Sequence, residues 1–154
     1  MRATPLLLLI ILAAATTPAR SQGPAQGPPP AELERIARRF VEAQRARQRE
    51  GAGAAQVDSA LAFLTDSAVY EHPRVGARIV GRDVMRQGML RFAGTVRGDR
   101  TRIVRLTTAP GAVVLELRQE LQLRDGEQWV TVRRHAVQVL EFDGARIRRI
   151  IDYW

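Results

Sequence analysis

Apolar residues in 31–50 recur at helical spacing, with Leu33, Ile36, Ala37 and Phe40 on one stripe. Glu32 and Glu34 occupy the first turn, Arg45, Arg47 and Arg49 the last, and Gly51 and Gly53 follow. That order complements the helix dipole and predicts an amphipathic helix. Val57, Leu61 and Leu64 predict a second, shorter helix over 57–64, ended by Thr65-Asp66. Residues 68–72 read as extended before Pro73, and Gly76 and Gly81 bracket another extended piece. A third helix is expected over 83–92, with Met85, Met89 and Phe92 packed inward. Past Gly98 the pattern changes to long β runs at 101–108, 113–123, 129–142 and 146–154. Asp125-Gly126 and Asp143-Gly144 separate the last three, a hairpin signal. The expected class is therefore α+β: three N-terminal helices packed on an antiparallel meander, which must bury one face against them.

Ahead of this pattern, Met1-Arg2 gives a positive start, Leu6 opens an apolar run that lasts to Ala15, and Ala19-Arg20-Ser21 places small residues where a signal peptidase reads. Residues 1–21 are expected to be a signal peptide, too short for a comfortable span of about 20 residues. Residues 22–30, rich in Pro and Gly, read as an extended linker, and 31–154 as one domain. The expected location is periplasmic or secreted, with no stable membrane insertion after cleavage.

Composition narrows the chemistry. Cysteine is absent, which removes disulfides, thiolate zinc sites and thiol catalysis. The cations are all Arg, 24 against 16 acidic residues, for a net charge of +8 that falls to +6 without Arg2 and Arg20. The arginines are scattered and aromatic residues are few, so a nucleic-acid partner is not expected. No ligand spacing on a single element suggests a metal, and no cofactor is expected.

Three segments together resemble the SnoaL-like branch of the nuclear transport factor 2-like superfamily. They are Leu64-Thr-Asp-Ser-Ala-Val-Tyr-Glu-His-Pro73, Gly81-Arg-Asp-Val-Met85, and Phe142-Asp-Gly-Ala-Arg-Ile147 with Ile151-Asp-Tyr-Trp154. The resemblance implies a curved sheet wrapped around a cone-shaped pocket, and dimerisation through the sheet, so a homodimer is expected. Its members include ketosteroid isomerase, limonene epoxide hydrolase and polyketide cyclases, so the fold does not settle the function.

Asp152 lies in an apolar strand end, where an ionised carboxylate is costly unless paired. Compared with limonene epoxide hydrolase, it matches the base that activates water. The same comparison places Tyr70 and His72 on the water-orienting Tyr and Asn, and Arg118 and Glu120 on an Arg-x-Asp pair, with Glu120 as general acid. The sequence departs from that enzyme in having His for Asn and Glu for Asp. Compared with ketosteroid isomerase, His72 falls on the general base, and Gln138 lies near the place of the oxyanion-hole acid. His135, Gln138 and Trp154 are further candidates to line the pocket.

Another pattern competes with this assignment. Val113, Leu115, Leu117, Leu121 and Leu123 alternate with Glu116, Arg118, Glu120 and Gln122, which places the polar set in water or at an interface. Three readings follow: a cofactor-free acid–base enzyme of hydrolase or isomerase/cyclase type acting on a small apolar molecule, a non-catalytic binding module, and a dimeric interaction domain.

Overall fold

The computed structural model describes residues 27–154. The expected signal peptide and most of the linker lie outside the described residues. α1 (Pro30–Gln48) starts with proline at its first position, where the missing N–H costs nothing, and turns Leu33, Ile36, Ala37, Phe40 and Val41 inward. α2 (Ala54–Leu61) buries Val57, Ala60 and Leu61. β1 (Leu64–His72), β2 (Ala77–Val80) and α3 (Arg82–Arg91) follow. The remainder is β3 (Val96–Arg97), β4 (Arg102–Ala109), β5 (Ala112–Asp125), β6 (Gln128–Asp143) and β7 (Arg146–Tyr153).

The seven strands form one open sheet in the order β2-β1-β7-β6-β5-β3, with β4 also paired to β5. Both expected hairpins form. Asp125 pairs with Gln128 and Asp143 with Arg146, so the central residues are Gly126-Glu127 and Gly144-Ala145. Gly126 and Gly144 have φ of 59° and 55° at the first central position. A left-handed residue there, followed by an ordinary one, is the glycine-first turn that suits the strand twist.

Several details differ from the pattern-based expectation. The sheet is mixed rather than an antiparallel meander throughout, because β1 runs parallel to β7. Leu64 is not the last turn of α2: the helix ends at Leu61, and Leu64 is buried by pairing with Ile147. Its spacing from Val57 and Leu61 suits a helix, but its burial comes from the sheet. Phe92 sits at the C-terminal cap of α3 and is 60% exposed instead of packed. β3, two residues long, carries too little pattern to be read from sequence.

The helices cover one face of the sheet. Phe40, Leu33, Leu64, Leu115, Leu140, Ile147 and Ile150 are fully buried between the two layers. Phe40 meets Phe63 edge-on with ring centroids 5.9 Å apart. Arg45 of α1 donates from Nε to Asp99 at 2.7 Å and so ties the helix to the chain ahead of β4.

Candidate functional site

Strand register decides which polar groups share the helix-covered face. β5 and β6 pair without interruption from Ala112 opposite Glu141 to Asp125 opposite Gln128. Leu115 therefore faces Gln138, Leu117 faces Ala136, and Gln119 faces Arg134 on that covered face. Gln138 pairs in turn with Asp152 of β7. On the other side of β7, Tyr70 pairs with Ile150 and Glu71 with Ile151 in parallel, so His72 comes level with Asp152. The four adjacent strands thus carry the row His72, Asp152, Gln138 and Leu115.

Within this row Gln138 donates from Nε2 to Asp152 Oδ1 at 2.8 Å. Gln138 is 7% exposed and its Oε1 has no hydrogen-bond partner among the described residues. His72 is 3% exposed, and neither ring nitrogen has a partner among the described residues. The Trp154 indole closes over it edge-on, with centroids 4.4 Å apart. The Arg134 guanidinium lies over the same indole, Cζ 3.9 Å from the ring centroid, within cation–π range.

The electrostatics follow from this burial. Burial holds the Asp152 carboxyl above its ordinary value, opposed by Gln138, Tyr70 and the charges of His72 and Arg134. Tyr70, facing the same carboxylate, is pushed upward by burial and by the negative charge of Asp152. Arg47, at the inward end of the α1 stripe, is pulled down by burial to about 10 and stays a cation at neutral pH. Burial also lowers Arg134, against the attraction of Asp152 and Tyr70.

The structure therefore brings together Tyr70, His72, Gln138, Asp152 and Trp154. It does not bring Arg118, Glu120 and His135 to them. Those three lie on the opposite, helix-free face, where Arg118 donates from Nε to His135 Nε2 at 2.9 Å and Glu120 meets Arg133 at 3.5 Å. The period-two alternation of β5 decides their orientation, and the uninterrupted β5–β6 register leaves no bulge to reverse it. With Arg100, Arg102 and Arg133, and with Gln119 and Arg134 from the covered phase, they border an open cavity of about 600 Å³ that Asp152 does not line.

Arg47 and Arg134 were not singled out by sequence. Arg47 continues the stripe of Leu33, Ile36, Phe40 and Gln44, and Arg134 shares the phase of Ala136 and Gln138, so both were marked by periodicity.

The comparisons with known proteins agree with this architecture. No functionally curated protein matches the chain. An LEH-like epoxide hydrolase of M. tuberculosis is 28% identical with a TM-score of 0.63, over 82% of this chain and 84% of that one. A Shewanella putrefaciens CN-32 protein assigned as a SnoaL-like polyketide cyclase is 14% identical, TM-score 0.65, over 81% and 90%. A Kribbella flavida DSM 17836 protein assigned as a ketosteroid isomerase is 19% identical, TM-score 0.59, over 80% and 78%. The model of the SnoaL-like domain matches residues 37–150, most of the sheet and helices just described, and the chain belongs to that family.

Proposed function

We propose that the protein is an exported, cofactor-independent acid–base catalyst of isomerase or cyclase type, acting on a small, largely apolar molecule, with Asp152 as the general base. The observation that carries this reading is the buried row itself: a carboxylate held above its ordinary value beside an imidazole and an amide oxygen without partners. A buried polar group left without a partner costs about 1–3 kcal/mol, which a ligand group bound there would recover. Burial makes Asp152 a stronger base than an exposed carboxylate, and better matched to taking a proton from a carbon beside a carbonyl. Gln138 and Tyr70 hold the carboxylate in place, and His72 presents its ring nitrogens to the substrate oxygen. Asp152, once protonated, returns the proton to the substrate, while Tyr70 and His72 face the substrate oxygen as hydrogen-bonding groups. Arg118 and Glu120, on the far side of the sheet, take no part.

Two further elements belong to the proposal. The N-terminal apolar run supports export. The partly exposed Val114, Val137 and Tyr153 on the helix-free face support a homodimer formed through the sheet.

The test is deuterium exchange at the α-carbon of a panel of cyclic and aryl ketones in heavy water, followed by proton NMR, with ring opening of cyclic epoxides run in parallel. Asp152→Asn should lower the exchange rate by about 10²–10⁴, whereas Glu120→Gln and Arg118→Ala should stay within about twofold. Exchange that survives Asp152→Asn overturns the assignment. Epoxide opening without exchange would move the reaction to the hydrolase type, with Asp152 activating water.

A further inference from the structure

Two cations stand over this site without an acidic partner. Among the described residues neither Arg47 nor Arg134 has a carboxylate within 4.0 Å. Each is instead held at Nε by a neutral amide oxygen. Arg47 donates to Gln44 at 2.5 Å and Arg134 to Gln119 at 2.6 Å. Gln44 and Arg47 lie on the inward stripe of α1, and Gln119 and Arg134 are cross-strand partners on the covered face. An amide oxygen orients a guanidinium without neutralising it, and leaves its two terminal nitrogens free for a planar anion. Stacking on Trp154 fixes the Arg134 plane further.

The charge count points the same way. Arg47 and Arg134 both act through space on Asp152 and Tyr70, so two guanidinium groups face one carboxylate in the half-buried site. One further negative charge would balance it. Uncompensated charge in a poorly hydrated site is costly, so a monoanion is the ligand that this arrangement favours.

We infer that the ligand carries a carboxylate, taken between Arg47 and Arg134, with its apolar body beside Trp154 and its reacting end at the row of His72, Asp152 and Gln138. This rests on the reading of that row as the reacting end of the site. It also adds to that reading, because a molecule that is only apolar would leave both guanidinium forks without partners. The Arg residues do not touch the reacting atoms; they bind and position.

The probe is 4-phenylbutanoate, compared with 4-phenylbutanamide, titrated into the full chain in a Trp129→Phe background so that Trp154 is the only indole. Trp129 packs against Arg97 away from the site, so its replacement leaves the site intact. Quenching of Trp154 should show the acid binding about tenfold or more tightly than the amide, and added salt should weaken the acid alone. Arg47→Gln and Arg134→Gln should each cut acid affinity about tenfold and leave the amide within about twofold. Arg134→Lys, which keeps the charge but loses the fork, should fall between. Equal affinity for acid and amide, or no binding of either, overturns the inference.

The two proposals separate cleanly. Acid-selective binding without proton exchange on any ketone, keto acids included, leaves the carboxylate site standing and sinks the acid–base reading. Exchange on neutral ketones at the same rate in Arg134→Gln, with no preference for the acid, does the reverse.

Discussion

Replacing Asp152 by asparagine should make the protein more stable while removing the proposed base. The carboxylate is largely buried, and its full desolvation would cost several kcal/mol. A hydrogen bond from Gln138 at 2.8 Å, the facing Tyr70 hydroxyl and two nearby cations return most of that cost. They do not return all of it, because the carboxyl stays above its ordinary value. Asparagine keeps the size and an acceptor oxygen for Gln138 without the ionisation cost. Removing a buried, incompletely compensated carboxylate in this way is worth about 1 kcal/mol. With a urea m-value of about 1.5 kcal/mol/M for a domain of this size, the midpoint should rise by about 0.7 M at pH 7.

The pH dependence gives the sign. A carboxyl raised in the folded state costs nothing below its unfolded value near 3.9, and its penalty develops as pH rises through the folded value. The gain of Asp152→Asn over the parent should therefore shrink toward zero as pH falls below about 4. Urea unfolding at pH 7 and pH 3.5, followed by tryptophan fluorescence, measures both. A loss of 1 kcal/mol or more at pH 7 would refute the reasoning, since the carboxylate would then be a structural anchor.

Other perturbations probe the scaffold. Phe40→Ala empties the centre of the core beside Phe63 and should cost about 3–5 kcal/mol in urea unfolding. Gly126→Ala forces a side chain onto a φ of 59° and should lower stability by about 1–2 kcal/mol, whereas Gly88→Ala, inside α3 with open space around its Cβ, should raise it by about 0.5–1 kcal/mol. At Asp99 burial pushes the carboxyl up, but hydrogen bonds from Thr101 and Arg45 outweigh it and hold the group below its ordinary value. Its stabilisation is complete above the unfolded value near 3.9 and lost as pH falls through the lower folded value, so Asp99→Asn should cost about 1–2 kcal/mol at pH 7 and little at pH 2.

Much of this architecture is legible in the residues. The stripe of α1, the two glycine-led hairpins and the alternation in β5 each encode one local choice, and the structure makes all of them. The parallel pairing of β1 with β7 is not legible, because nothing in either segment states which distant strand it will meet. The candidate site divides along the same line. Asp152, His72 and Tyr70 stand out by residue type in apolar surroundings. Arg118 and Glu120 stand out equally by type, but the β5 alternation turns them away. Arg134 is the instructive case. A two-residue turn at Gly126-Glu127 sets every pair in the β5–β6 ladder, so it places Arg134 opposite Gln119 once pairing is carried six residues back from Asp125 and Gln128. Neighbouring apolar residues hide this, since both faces of β6 carry valine.

The parallel contact between β1 and β7 also governs when the row of His72, Asp152 and Gln138 can assemble. Tyr70 and Ile150 pair across eighty residues, and closing such a loop costs about 4 kcal/mol of chain entropy. The hairpins of β4 through β7 close over turns of two residues and can form first. β1, carrying Tyr70 and His72, must then be captured by an edge that already holds Asp152, a step that places folding on the slower, millisecond-to-second side. A chain that stops short of β7 lacks Asp152 and also the strand that holds the imidazole beside it. No partly folded form of the sheet can assemble the row, so chemistry at Asp152 would report completed folding.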